Sequence, residues 1–151
     1  MGWIDGKQAA EIVPRTVTIV QAEARTAAEL VGFRTVSFGE GRAVFEMDAD
    51  ERHHNPMGTV HGGILCTLAD SAMGFAFAST LGPGESFTTL ELKMNDLRPV
   101  FAGRLVAAAR VMHRGKLVGL VECDVENAEG KLVAHATSTC QVLRGEAARG
   151  R

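Results

Sequence analysis

A chain of 151 residues, 46% hydrophobic and 23% charged, has the size and make-up of one globular domain, able to bury about 70% of the surface its unfolded form exposes. Its formal net charge of -2 and pI near 6.2 supply no field to recruit nucleic acid or an anionic membrane, and it lacks the run of about eighteen apolar residues that spans a bilayer. Three cysteines, Cys66, Cys123 and Cys140, form no CxxC pair and lie in apolar segments, which suits reduced, buried thiols in a cytoplasmic protein.

In chain order, the first fourteen residues are mixed in character and end at Pro14. They lack the basic start and apolar stretch of a signal peptide, and Gly6 spoils the myristoylation pattern that Met1-Gly2 begins. Residues 15–31 are expected to form a short helix in their Ala/Glu-rich half, so 1–31 reads as an N-terminal extension. Two alternating runs, 32–38 and 42–47, flank Gly39-Glu40-Gly41 and predict a hairpin. A polar loop from about Asp48 to Val60 follows, with Asn55-Pro56 as its turn signal. From Gly62 to Leu81 the pattern predicts a long helix, apolar nearly all round and therefore enclosed by other elements; Gly82-Pro83-Gly84 stops it. Strands are expected over roughly 86–98, 103–113, 117–126 and 131–143. In the first of these, Leu90, Leu92 and Met94 alternate with polar residues, and His113-Arg114-Gly115-Lys116 and 127–130 form later turns. The tail, 145–151, reads as disordered. A hairpin, one buried helix and a meander of long strands make an α+β domain over 32–144, in which the sheet must curve around the helix and leave a face or edge for a second copy.

Asp70 is the only charged residue between Gly62 and Leu81. Aspartate is a poor mid-helix residue, and a carboxylate in apolar surroundings costs several kcal/mol unless it is hydrogen-bonded or its pKa rises. It either faces a polar seam or serves chemistry. Upstream, Gly62 and Gly63 open the helix. Each weakens it by about 1 kcal/mol against alanine, yet both allow close approach to the backbone. The leading N–H groups there have no internal partner and carry the positive end of the dipole. Tight packing against a strand would also explain Gly63. Gly62 and Asp70 stand eight residues, or about 12 Å, apart along the axis, too far to act on one carbonyl from one helix. Two antiparallel helices of a symmetric dimer bring them together, so the spacing predicts a shared site.

A thioester suits these groups. Its thiol leaving group, with a pKa of about 8.5 by analogy with cysteine, departs with little acid assistance. A base or nucleophile and donors for the oxyanion are what the reaction requires. No serine lies in a G-x-S-x-G elbow, so an α/β-hydrolase scheme has no support.

The run Asn55-x-x-Gly58-x-x-His61-Gly62-Gly63, followed by Leu68-Ala69-Asp70, resembles the signature of the hotdog-fold acyl-CoA thioesterases of the phenylacetic-acid-pathway (PaaI-like) type. Thr89 to Pro99, Gly103-Arg104-Leu105, His113 to Lys116 and Gly130 to Thr137 continue the likeness, which covers roughly 32–143. The resemblance implies a hotdog fold, a long central helix wrapped by a curved antiparallel sheet, and hydrolysis of an aryl- or medium-chain acyl-CoA to free acid and CoA. It implies Asp70 as general base or nucleophile, with Thr89 holding the water and Gly62 giving its N–H to the thioester carbonyl. Asn55 would bond near that carbonyl or the water, and His61 would orient the loop and meet the acyl-thioester. Gly63, Arg114, Gly115 and Lys116 would bind the substrate, the last three along its coenzyme A arm. It implies a homodimer with shared sites, assembled further as a homotetramer, and no cofactor, coenzyme A being part of the substrate.

Other groups are read more plainly. His53, His54 and His61 lack metal-ligand spacing and are expected to be solvated loop side chains, as are Asp48, Asp50, Glu51 and Arg52. His113 and His135 satisfy local hydrogen bonds, and Cys66 reads as a small core residue. Met73, Phe75 and Phe77 read as core or acyl-pocket lining. Two alternatives compete with hydrolysis. Asp48 and His53 have the D-x-x-x-x-H spacing of a hotdog enoyl-CoA hydratase, which would leave Asp70 unexplained. A non-catalytic acyl-CoA-binding protein is the other, although the short N-terminal extension leaves no room for a DNA-binding module.

Overall fold

The computed structural model describes residues 26–149; the terminal readings for 1–25, including most of the 15–31 helix, lie outside the described residues, as do 150 and 151. The chain enters through α1 (Ala27–Val31), whose N-cap Thr26 accepts the Glu29 N–H and whose exit is closed by Gly32 in the left-handed conformation. β1 (Phe33–Gly39) and β2 (Arg42–Ala49) form the expected hairpin. Glu40 and Gly41 both have positive φ, as a two-residue turn matched to strand twist requires.

The long helix, α2 (Gly62–Ala78), ends three residues earlier than the sequence predicts. Ser79 and Thr80 turn their hydroxyls back onto Ala76 O and Phe77 O, and the next N–H groups make tighter i to i−3 bonds. One face of α2 is sealed: Leu65, Leu68, Ala69, Ala72, Met73, Ala76 and Phe77 are buried. The opposite face, with Gly63 and Asp70, is exposed. The helix is therefore covered on one side only, not all round as its apolar composition suggests.

Four long strands complete the sheet: β3 (Glu85–Asp96), β4 (Gly103–Arg114), β5 (Val118–Asn127) and β6 (Leu132–Arg144). All pairings are antiparallel, in the order β1-β2-β4-β5-β6-β3. The last four strands are thus not a simple meander. β3 crosses to the far side and pairs with β6, which leaves it as an edge. Gly145–Ala148 forms a 3-10 turn after β6, where the sequence suggests disorder; Arg149 N–H closes it on Glu146 O.

The sheet's two faces differ as its alternation demands. On the helix side Phe45, Met47, Leu105, Val121, Cys123 and Val133 are buried. Phe75 stacks edge-on against Phe38 and Phe45, and Phe77 against Phe87; burying each such side chain contributes about 1.5–3 kcal/mol. On the other face Glu46, though buried, is gripped by Arg34 at 2.6 Å and by Arg104 Nε at 2.8 Å. That arrangement gives a desolvated carboxylate its compensating bonds.

Gly119 marks the tightest approach of sheet to helix. A Cβ there would stand 2.3 Å from Phe77 Cε2 and 2.9 Å from the His113 carbonyl, and Phe77 has no exposed surface into which to retreat. Gly119→Ala is therefore expected to cost about 1–3 kcal/mol by overpacking, read as a lower denaturation midpoint in urea; an unchanged midpoint would show that the Phe77 pocket yields freely.

Candidate active site

Asp70 stands midway along the open face of α2. It lines a cleft of about 350 Å³ with Cys66, Thr67, Thr89 and Leu92. Thr89 is brought there by a bulge. Thr89 pairs with Cys140 and Glu91 with Thr139, leaving Leu90 as the extra residue. One inserted residue shifts the alternation, so Thr89 and Leu92, three apart, share the face that meets Asp70. Leu90, expected to alternate inward with Leu92 and Met94, is instead 56% exposed.

The Asp70 residue is exposed overall, but the elements beside it take water from one side of its carboxyl group. This desolvation raises its pKa above the ordinary carboxylate value. Cys66, one turn earlier, is raised too, by its burial and then by the nearby carboxylates of Asp70 and Asp96. It stays a thiol, and it is a partly buried wall of the cleft rather than a core residue. Cys123 and Cys140 are buried and, like Cys66, unpaired.

The start of α2 forms a second cleft, of about 240 Å³, whose lining includes Asn55, Thr59, Gly62, Leu65, Asp96 and Arg98. His61 is the N-cap. Its ring Nδ1 accepts the Gly63 N–H at 2.9 Å and its carbonyl accepts the Ile64 N–H at 2.9 Å. The Gly62 N–H meets no acceptor among the described residues. A carbonyl oxygen placed there would find an unengaged donor at the positive end of a helix.

Asn55 shapes the loop that leads in. Its side-chain oxygen accepts the Met57 and Thr59 N–H groups, and its amide donates to Thr59 Oγ1 at 2.9 Å. One amide hydrogen remains for a ligand. The structure thus brings Asp70 to Thr89, and Asn55 to Gly62, in two separate clefts of one chain, with His61 capping the helix beside the second.

Arg114 is not laid open for a substrate arm. Its guanidinium donates to Glu85 Oε2 at 2.7 Å, Thr80 Oγ1 at 3.2 Å and the Gly115 carbonyl, and lies 5.4 Å from the centroid of the Phe77 ring. It closes the C-terminal end of α2 onto the sheet. Gly115 is needed for the turn itself, since a Cβ would meet Val118 O at 2.7 Å. Lys116 is exposed.

Of the three loop histidines, His61 is exposed as expected and His54 is partly so, but His53 is not solvated. His53 is buried; its Nδ1 accepts the Asp50 N–H at 3.0 Å and its Nε2 donates to Val31 O at 2.8 Å. It caps the 3-10 turn Glu51–His53 with Asp50. His54 Nε2 reaches Phe101 O at 2.6 Å. His53 therefore has structural work, and it does not pair with Asp48, which is exposed at the end of β2. Among the described residues no three His, Cys, Asp or Glu side chains gather to hold a metal ion. Phe75 and Phe77 are stacked against core rings and line neither of the two clefts described.

Asp96 is the site residue that sequence reasoning missed. It follows Leu92 and Met94 on the same parity of β3, so a carboxylate stands where the alternation asks for an apolar side chain. That signal was available in the sequence; the proximity to Gly62 was not, because β3 and α2 meet only through the fold.

The thioesterase superfamily pattern matches residues 57–134. The chain is 32% identical over 116 residues to 1,4-dihydroxy-2-naphthoyl-CoA hydrolase of Listeria monocytogenes, covering 77% of this chain and 94% of that protein. It is 37% identical over 109 residues to acyl-coenzyme A thioesterase PaaI of Escherichia coli, covering 71% and 75%. The solved structure of the E. coli PaaI protein from the phenylacetic acid degradation operon superposes with a TM-score of 0.73, over 78% of this chain and 84% of that one. No helix among the described residues is long and apolar enough to cross a membrane. The antiparallel sheet around a single long helix, the matched relatives and the solved neighbour place this chain in the thioesterase superfamily, as a PaaI-like hotdog thioesterase that hydrolyses acyl-CoA.

Proposed function

We propose that the chain cleaves aryl- or medium-chain acyl-CoA in the cytoplasm, in sites built between two copies. Asp70 of one subunit would face the Gly62 N–H of the other. The observation that carries this reading is the pairing of an unengaged donor at Gly62 with a carboxylate on the same open helix face, about 12 Å along the axis. The edge strand β3, with Leu90 exposed, offers a second copy backbone groups to pair with. Such pairing sets the open faces of two α2 helices side by side. Met112, Leu117 and Leu120 are also exposed near the β4–β5 turn and supply an apolar patch for joining two dimers into a tetramer.

In this scheme Asp70 takes a proton from water positioned with Thr89, and the hydroxide adds to the thioester carbonyl. The oxyanion is held by the Gly62 N–H, with Asn55 near it; collapse releases the CoA thiolate, which recovers the proton from Asp70. Direct attack by the carboxylate, through a mixed anhydride that water then opens, uses the same atoms. Neither route needs a metal or cofactor. His61 holds the loop and the helix start in place, Gly63 leaves room for the His61 ring, whose Nδ1 a Cβ there would meet at 3.0 Å, and Lys116 is the exposed cation at the turn where the CoA arm would run.

Asp70→Asn and Asp70→Ala are expected to lower kcat/KM by about 10²–10⁴-fold with the oligomer intact by light scattering; turnover at the wild-type rate would remove Asp70 from the mechanism. Stability should move the other way. A carboxyl group whose folded pKa is raised favours the native state below its ordinary value, and that contribution is lost as pH climbs through the raised one. Asp70→Asn should therefore have the higher Tm at neutral pH, with the difference closing in acid below the ordinary carboxylate range. A gap that persists there would mean that burial of the charge is not its cause. Mixing Asp70→Ala subunits with Gly62→Pro subunits should restore one working site per mixed dimer, and no recovery after verified exchange would rule out sharing.

A further inference from the structure

Asp96 ends β3 opposite Ala134 of β6, and its carboxylate presses on the first residue of α2. A Cβ built on Gly62 would lie 2.6 Å from Asp96 Oδ2 and 3.5 Å from its Cγ. Both residues line the cleft that also holds Asn55. Among the described residues no side chain and no N–H group bonds to this carboxylate. The cation nearest in sequence, Arg98, lines the same cleft, but its guanidinium donates to Leu132 O at 2.5 Å and forms no ion pair with Asp96. Space for a side chain at Gly62 has been given instead to an exposed carboxylate with no ion-pair partner among the described residues, next to the donor proposed for the thioester.

We propose that Asp96 is a specificity-determining residue that selects acyl groups uncharged near the thioester and rejects those whose third or fourth carbon is itself a carboxylate. The proposal rests on the carbonyl being held at Gly62, as argued above. A carbonyl oxygen bonded to that N–H sits about 3 Å from it, and carbons 3 and 4 of the acyl chain lie within about 5 Å of that oxygen. A carboxylate there comes within a few ångströms of Asp96, well inside the screening length of about 8 Å at physiological salt. The coenzyme A phosphates, at the far end of the pantetheine arm, lie beyond that length and escape the effect. Asp70, approaching from the other subunit, carries the same sign and adds to the rejection.

Butyryl-CoA and malonyl-CoA, nearly equal in size and differing by one charge, test the filter. The wild-type enzyme should prefer butyryl-CoA in kcat/KM by at least about tenfold. Asp96→Asn, which keeps the shape and removes the charge, should narrow that preference by about tenfold, or 1.4 kcal/mol, while Asp96→Glu retains it. A ratio unmoved by Asp96→Asn, or a wild-type enzyme indifferent to the two thioesters, would overturn the proposal; a side chain serving only to support the fold would shift both rates alike. Hexanoyl-CoA hydrolysis, measured alongside, checks the catalytic reading separately. Should neither short thioester turn over, calorimetric binding of both to the wild type and to Asp96→Asn decides the matter. A preference for butyryl-CoA that disappears in the variant supports the filter, and equal affinities in the wild type refute it.

Discussion

A helix that closes a core with one face and leaves the other open sets the terms for everything else in this molecule. The closed face of α2 relies on small residues. Ala69, Ala72 and Ala76 have no exposed surface and let the helix lie close to the sheet, while Leu68, Met73 and Phe77 fill the volume between. The open face has little to bury and so tolerates a carboxylate. Asp70 would cost several kcal/mol if turned inward. Where it stands, water on one side keeps the cost moderate, and packing on the other raises its pKa. That intermediate setting suits a base, since a fully solvated aspartate accepts a proton poorly at neutral pH and a fully buried one is already protonated.

Much of this was legible in the chain. Period-2 alternation and turn residues mark each long strand to within a few residues, and the two-residue Glu40-Gly41 turn declares the hairpin. The helix signal is strong, and so is the anomaly of Asp70 within it. What the sequence conceals is relational. Nothing local to 85–96 says that β3 will cross the sheet to reach β6, because register and neighbour order arise from which faces must be covered. The bulge at Leu90 is equally silent, and it alone aligns Thr89 with Leu92 and Asp70. The resemblance sets Arg114 along the coenzyme A arm, yet the nearness of Glu85, Thr80 and Phe77, all distant in sequence, commits it to holding the helix end.

The histidines carry the same lesson in finer form. A cluster of three in a loop invites thoughts of metal or acid–base chemistry. Each instead meets a backbone group: His53 with Asp50 and Val31, His54 with Phe101, His61 with Gly63. Loops expose many unpaired N–H and C=O groups, and an imidazole in the right tautomer serves as donor, acceptor or both. Such uses leave no pattern in one sequence, because they depend on where the chain turns.

His61 shows how capping and chemistry fit together. An α-helix begins with four N–H groups that lack internal partners. The His61 ring takes the Gly63 donor and its carbonyl takes the Ile64 donor, so the helix start is secured without touching Gly62. To accept that N–H, Nδ1 must be unprotonated, which leaves the ring hydrogen on Nε2. A serine or aspartate cap would engage the same class of donor, but aspartate would add a second negative charge beside Asp96, at the point proposed to hold the oxyanion. A neutral imidazole caps the helix and adds none. The first donor is left open, with the Asp96 carboxylate, and not a charged cap, beside it.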